Sequence, residues 1–153
     1  MIGIIDYGVG NLFSLKSSLA YIGEEAVVTG DEKKLKQCEK ILLPGVGAFR
    51  DAAWKLRQSG LADVVLEEAA AGKPLLGICL GMQMLFDKSY EYGEYSGLGL
   101  IPGVVRPIAP MIGEGKKVPH IGWNGLHFPK GATRCPIFAY ISENDCVYFV
   151  QSY

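Results

Sequence analysis

Leu75-Leu76-Gly77-Ile78-Cys79-Leu80-Gly81-Met82-Gln83 is the stretch on which the fold turns. An apolar run ends at a thiol, and a glycine stands two residues to either side of it. G-x-nucleophile-x-G between a strand and a helix is a nucleophile elbow, a strained turn whose tight backbone leaves room only for small neighbours. It pushes the central side chain out at the carboxyl end of the sheet, where open α/β sheets bind ligands. A helix opening there, expected over Met82–Asp87, points its N-terminus at the thiol and favours thiolate. The alternative for the same residues is a buried cysteine at a glycine-rich strand end.

Working outward, short apolar runs alternate with helical patterns. Ile2–Ile5, Ala26–Thr29, Ile41–Leu43 and Leu75–Cys79 read as buried strands, the third broken by Pro44-Gly45. Between them, Leu12, Leu15, Leu19 and Ile22 recur at helical spacing after Asn11, a good N-cap, and Gly23 stops the helix. Asp31 starts a polar helix with Leu35 and Cys38 inward, Phe49, Ala53 and Leu56 make another stripe, and a further helix runs from about Leu61 to Ala71. Strands alternating with helices predict βαβ units and a parallel sheet covered on both faces. After Tyr90 the pattern changes to short apolar runs (Val104-Val105, Ile121–Phe128, Val147–Val150) among Gly, Pro and Asn, with no convincing helix.

The chain has 153 residues, 49% hydrophobic and 20% charged, with 15 Lys+Arg against 16 Asp+Glu. That length fits one domain, residues 1–153, burying roughly two-thirds of its unfolded surface. The charge balance excludes a strongly basic nucleic-acid binder, and the hydrophobic fraction excludes disorder. Asp6 interrupts the first apolar run and no basic residue precedes it, so no signal peptide is expected. Pro74–Phe86 is too short and too broken to span a membrane. A cytoplasmic protein is the expectation. The cysteines Cys38, Cys79, Cys135 and Cys146 lack metal-ligand spacing and read as free thiols. Apart from Cys79 they are expected to be small buried hydrophobes. No metal and no cofactor is expected.

Two further loops bear on chemistry. Acyl transfer through a thiol needs an oxyanion hole, and in an elbow one donor is the N–H after the nucleophile, here Leu80. Pro44-Gly45-Val46-Gly47 is a loop of the kind that supplies the second donor, although an ordinary strand–helix turn would look the same. Gly8-Val9-Gly10-Asn11-Leu12-Phe13 half-matches a dinucleotide fingerprint. Phe13 replaces the third glycine and no acidic residue follows at a convincing strand end, so it reads as a tight turn.

Together these residues resemble the glutamine amidotransferase subunit of imidazole glycerol phosphate synthase, a triad-type (class I) amidotransferase. The match runs in order over the whole chain. It includes Ile4–Leu12, Leu43–Phe49, Gly77–Gln83, Pro119-His120-Ile121-Gly122-Trp123-Asn124 and Tyr148-Phe149-Val150. The elbow is shared by many amidotransferases, whereas the opening loop, the Pro-Gly-Val-Gly loop and the Pro-His-x-Gly-Trp-Asn stretch are specific to this branch.

The resemblance implies a three-layer, flavodoxin-like α/β fold with a mostly parallel central sheet. It implies that Cys79 attacks the side-chain amide of glutamine, forms a glutamyl thioester and releases ammonia. Val46 and Leu80 would supply the oxyanion N–H groups, with Gly45 letting the loop rearrange. Gln83, Ser152 and Tyr153 would hold the amino-acid end of glutamine. Ammonia would pass to a (β/α)₈-barrel cyclase subunit, in a heterodimer of histidine biosynthesis whose glutaminase is switched on by ligand at the partner's site. Asn11, Pro119, His120, Trp123 and Asn124 would lie at that interface. An exposed tryptophan beside Pro and Gly suits an anchor, although from the residues alone Trp123 also fits a core position.

The family's base and orienting carboxylate come from a later His-Pro-Glu segment that these residues do not contain, and Gln151 stands where the family has a histidine. General acid–base help is worth about 10²–10⁴-fold. The expectation is therefore a C-terminally truncated amidotransferase domain with low or no activity alone and uncovered edge strands. The competing readings are a non-catalytic subunit that docks on the cyclase, and another elbow-type cysteine hydrolase with His120 as its base.

Overall fold

A computed structural model describes residues 1–131 and 133–153. The sequence predicts one domain, and the chain forms two compact units, Met1–Arg106 and Pro107–Tyr153.

The first unit begins with strand β1 (Ile2–Ile5), helix α1 (Leu12–Tyr21), strand β2 (Ala26–Thr29), helix α2 (Glu32–Gln37) and strand β3 (Lys40–Gly45). Helices α3 (Phe49–Gln58) and α4 (Leu61–Ala70), strand β4 (Leu75–Cys79) and the single turn α5 (Leu80–Gln83) follow. The four strands form one sheet in the order β2-β1-β3-β4, and every pairing is parallel. This is the order of flavodoxin-like sheets, with the direction of winding reversing between β1 and β3.

Side-chain alternation divides the core in two. On one face Ile2, Ile4 and Leu42 pack under Leu12, Leu15 and Leu19 of α1. On the other, Ile5, Ile41 and Leu43 pack under Leu35 of α2, Phe49 and Leu56 of α3, and Leu61 and Val65 of α4. Period-two strands between helices on both faces make the three-layer sandwich that the apolar runs predict. Asn11 caps α1 as expected, its side chain accepting from the Ser14 N–H.

Two expectations fail in this unit. β3 is not broken at Pro44-Gly45, since both residues continue the ladder with β4 (Pro44↔Ile78, Gly45↔Cys79). The ladder with β1 ends at Ile4↔Leu42. Beyond it β3 has a neighbour on one side only, where a proline without an N–H is tolerated. The helix expected over Met82–Asp87 also does not form. α5 stops after one turn and strand β5 (Phe86–Ser89) takes over, joined by β6 (Tyr95–Ser96) and β7 (Ile101–Val105) in the order β6-β5-β7. Tertiary pairing overrides local propensity here. The carbonyls of Met84, Leu85 and Phe86 accept from Leu98, Leu100 and Gly99 at 2.8, 2.8 and 3.1 Å.

The second unit contains an antiparallel pair, β8 (His120–Gly125) and β9 (Cys146–Gln151), in register from His120↔Gln151 to Gly125↔Cys146. Single 3₁₀ turns at Ala109–Met111 and Pro136–Phe138 are its only helical elements among the described residues. Of the cysteines, Cys38 is buried as expected, but Cys135 and Cys146 are exposed. This small unit packs few apolar side chains, so it offers them no interior. No helix among the described residues is long and apolar enough to cross a membrane.

Candidate active site

Cys79 ends β4 with φ 54° and ψ −120°, a backbone conformation that favours glycine. The thiol residue is exposed. The elbow's neighbours are glycine for a measurable reason. A Cβ at Gly77 would lie 2.5 Å from the Met82 Cα, and one at Gly81 would overlap the Leu43 carbonyl oxygen. The chain can turn this sharply only because two backbones pack directly on each other at both positions.

The helix behind the thiol is a single turn, shorter than the sequence predicts. A turn of that length carries little macrodipole, so dipole stabilisation of a thiolate is correspondingly small. Its first N–H groups still have no partner within the helix. Leu80 supplies the first of these directly after Cys79, and its side chain is buried at 3% exposure. Gln83 closes the same turn.

The loop after β3 stands beside the elbow. Gly45 pairs with Cys79 in the ladder, and a Cβ on it would lie 2.5 Å from the Gly81 nitrogen. Val46 is 51% exposed, and Gly47 has φ 84°. Asn11, Ser14, Pro44, Gly45, Val46 and Cys79 help to line one open hollow of about 160 Å³ at the carboxyl ends of the strands. That is the position in which open α/β sheets hold ligands. Structure thus gathers Cys79, Gly45, Val46, Leu80, Gln83 and Asn11 at one end of one sheet.

The other expected site residues belong to the second unit. The His120 ring nitrogen Nε2 lies 2.9 Å from Asn124 Oδ1, and its ring centroid is 6.2 Å from that of Phe149. Trp123 is 71% exposed, against the core reading, and its ring meets Tyr148 with centroids 5.4 Å apart. Ile121, Trp123, Tyr148 and Val150 share one face of the β8–β9 pair, and all are exposed. Pro119 leads into β8, and Ser152 and Tyr153 follow β9, with the Ser152 carbonyl accepting from Ile108 at 2.9 Å.

Two residues that no local pattern marks also touch this region. Tyr7 Oη donates to the Pro44 carbonyl at 2.7 Å, and Glu91 Oε2 accepts from the Phe49 N–H at 2.5 Å. Both bonds join segments about forty residues apart, beyond the reach of spacing rules.

An exposed thiol on an elbow in a three-layer flavodoxin-like sheet defines a class that the comparisons specify. Residues 4–111 match the CobB/CobQ-like glutamine amidotransferase domain. The fold is that of a crystal structure of a glutamine amidotransferase, with a TM-score of 0.70 at 20% identity over 97% of this chain and 70% of that one. Imidazole glycerol phosphate synthase subunit HisH of Sulfurimonas denitrificans is 49% identical over 154 residues, 100% of this chain and 72% of that protein. The subunit HisH of Geobacillus thermodenitrificans is 50% identical over 155 residues, 100% of this chain and 71% of that protein. The chain belongs to the glutamine amidotransferases, in the family of imidazole glycerol phosphate synthase subunit HisH.

Proposed function

We propose that the chain is the glutaminase subunit of a cytoplasmic imidazole glycerol phosphate synthase and forms one amidotransferase domain. It hydrolyses glutamine through a Cys79 thioester and delivers ammonia to a (β/α)₈-barrel cyclase subunit in histidine biosynthesis. The observation that carries this is the backbone of Cys79. A non-glycine residue at φ 54° costs about 1–3 kcal/mol, and its surroundings hold it there with two obligate glycines. An exposed thiol held in that way is what an acyl-transfer nucleophile requires.

In this reading the Cys79 thiolate adds to the side-chain carbonyl of glutamine, and the oxyanion that forms lies between the N–H groups of Leu80 and Val46. Preorganised backbone donors of this kind are each worth about 10²–10³ in rate. Collapse of the oxyanion breaks the C–N bond, and ammonia leaves with a proton. The family draws that proton from the His-Pro-Glu histidine, which these residues do not contain, so turnover by residues 1–153 alone is expected to be low. Gly45, buried against the Leu80–Gly81 backbone, sets how the Val46 peptide stands to the thiol. Gln83, in the turn that follows Cys79, holds the amino-acid end of glutamine.

The partner surface in this reading is the face of β8–β9 that carries Trp123, with Pro119, His120 and Asn124 contributing. Four exposed apolar side chains in register are what a docking face needs, and tryptophan is enriched at the energetic centre of interfaces. The test is glutaminase activity of the chain with the cyclase subunit and its nucleotide ligand. Ammonia release that depends on Cys79 supports the reading. Tight association without any turnover would instead favour a binding-only subunit.

A further inference from the structure

We propose that Tyr7 and Glu91 are positioning residues that pin the two ends of the Gly45–Ala48 loop and confine its movement to the peptides around Val46. The inference rests on the reading of that loop as the oxyanion donor.

The upstream pin is the Tyr7 hydroxyl. Its ring lies in the larger core at 6% exposure, and its Oη donates to the carbonyl of Pro44, the acceptor of the peptide that enters the loop. Burial pushes the pKa of this phenol well above its ordinary value, so the group keeps its proton and remains a donor. The downstream pin is the Glu91 carboxylate. α3 begins at Phe49, and its N-cap, Ala48, makes no side-chain cap bond. Glu91 takes that role from a distant turn, accepting the Phe49 N–H, and a negative charge is favourable at a helix N-terminus. Glu91 is itself anchored. Its N–H donates to Ser89 Oγ at 3.2 Å, Ser89 is fully buried, and the Tyr90 N–H donates to Val105 at 3.0 Å.

Between the pins the chain has little choice except at its centre. Gly45 is wedged against the Gly81 nitrogen, whereas Val46, Gly47 and Ala48 are all exposed. Nothing lies within 4 Å of a Cβ built on Gly47, whose φ is 84°. The loop can therefore rotate peptides about Val46 without swinging away from Cys79. A loop held in this way presents its N–H at a fixed place and loses little order when the oxyanion forms.

The test uses the full chain with its cyclase partner and the variants Tyr7→Phe, Glu91→Ala and Glu91→Gln. Amide hydrogen exchange of the segment from Val46 to Arg50 is expected to rise about tenfold in Tyr7→Phe and Glu91→Ala, the effect of losing one hydrogen bond. Exchange in β1 and α4 stays unchanged, and Glu91→Gln, which keeps an acceptor oxygen, stays near wild type. In glutaminase assays the first two variants lower kcat about tenfold and change KM for glutamine by less than about twofold. Unchanged loop exchange in both variants overturns the proposal. So does a raised KM at constant kcat for Glu91→Ala, because Glu91 would then touch glutamine. If the wild-type complex releases no ammonia, or releases it equally with Cys79→Ala, the functional reading fails, and exchange still decides whether the two pins exist.

Discussion

Gly45 stands opposite Cys79 in the parallel ladder between β3 and β4. The loop proposed to bind the oxyanion and the thiol proposed to attack are therefore linked directly by the backbone ladder at Gly45 and Cys79. Anything that shifts one strand end shifts both partners, and anything that spreads the ladder separates them.

Cys79→Ala is expected to abolish glutaminase activity of the complex. Cys79→Gly is expected to be just as inactive yet more stable than Cys79→Ala by about 1 kcal/mol, because glycine accepts a positive φ that alanine resists. At this chain length that corresponds to roughly 2–4 °C in the melting temperature. Thermal melts of the two variants check it, and a glycine variant that melts below the alanine one would show that the turn is unstrained.

Gly81→Ala places a Cβ onto the Leu43 carbonyl, and no flexible side chain can yield there. A loss of about 3 kcal/mol or more is expected in chemical denaturation. Gly72→Ala is the control. Its φ of 84° disfavours a side chain, which the helical backbone of Gly81 does not, but nothing lies within 4 Å of the new Cβ, so the cost should stay near about 1 kcal/mol. Equal losses at the two sites would refute the close-approach account of the elbow.

Trp123→Ala removes a side chain that is 71% exposed, so stability should change by no more than about 0.5 kcal/mol. Affinity for the cyclase subunit should fall by about 2 kcal/mol or more, near thirtyfold in Kd by titration calorimetry. A variant that binds as tightly as wild type would remove Trp123 from the interface.

Glu143 is expected to titrate below its ordinary value of 4.5, because the His127 ring and then the Phe128 N–H favour its charged form. A depressed folded value means that the stabilisation is present above the unfolded value and disappears as pH falls through the folded one. The Phe128 amide resonance should follow this titration, with a midpoint below 4.5, and should lose it in Glu143→Gln. A midpoint at or above 4.5 would mean that the contact does not hold in solution.

The parallel sheet was legible because its strands are short apolar runs punctuated by glycine, asparagine and proline, and the elbow because Gly77 and Gly81 bracket Cys79. Local signals misled where a distant segment decides the outcome. Nothing near Met82–Asp87 announces that residues 98–100 will take the carbonyls of 84–86. Pro44 reads as a strand breaker until it is known that β1 has already ended beside it. Tyr7 and Glu91 were invisible for the same reason, since each acts on a loop about forty residues away.

The face made by Ile121, Trp123, Tyr148 and Val150 also bears on how such a chain would be made. Apolar side chains left in water on a two-stranded pair attract one another as readily as they attract a partner. On the docking proposed above, a subunit that carries them is safest with that face covered by its partner. Matched production of the two subunits, more than any change within this chain, should govern how much of it stays dispersed.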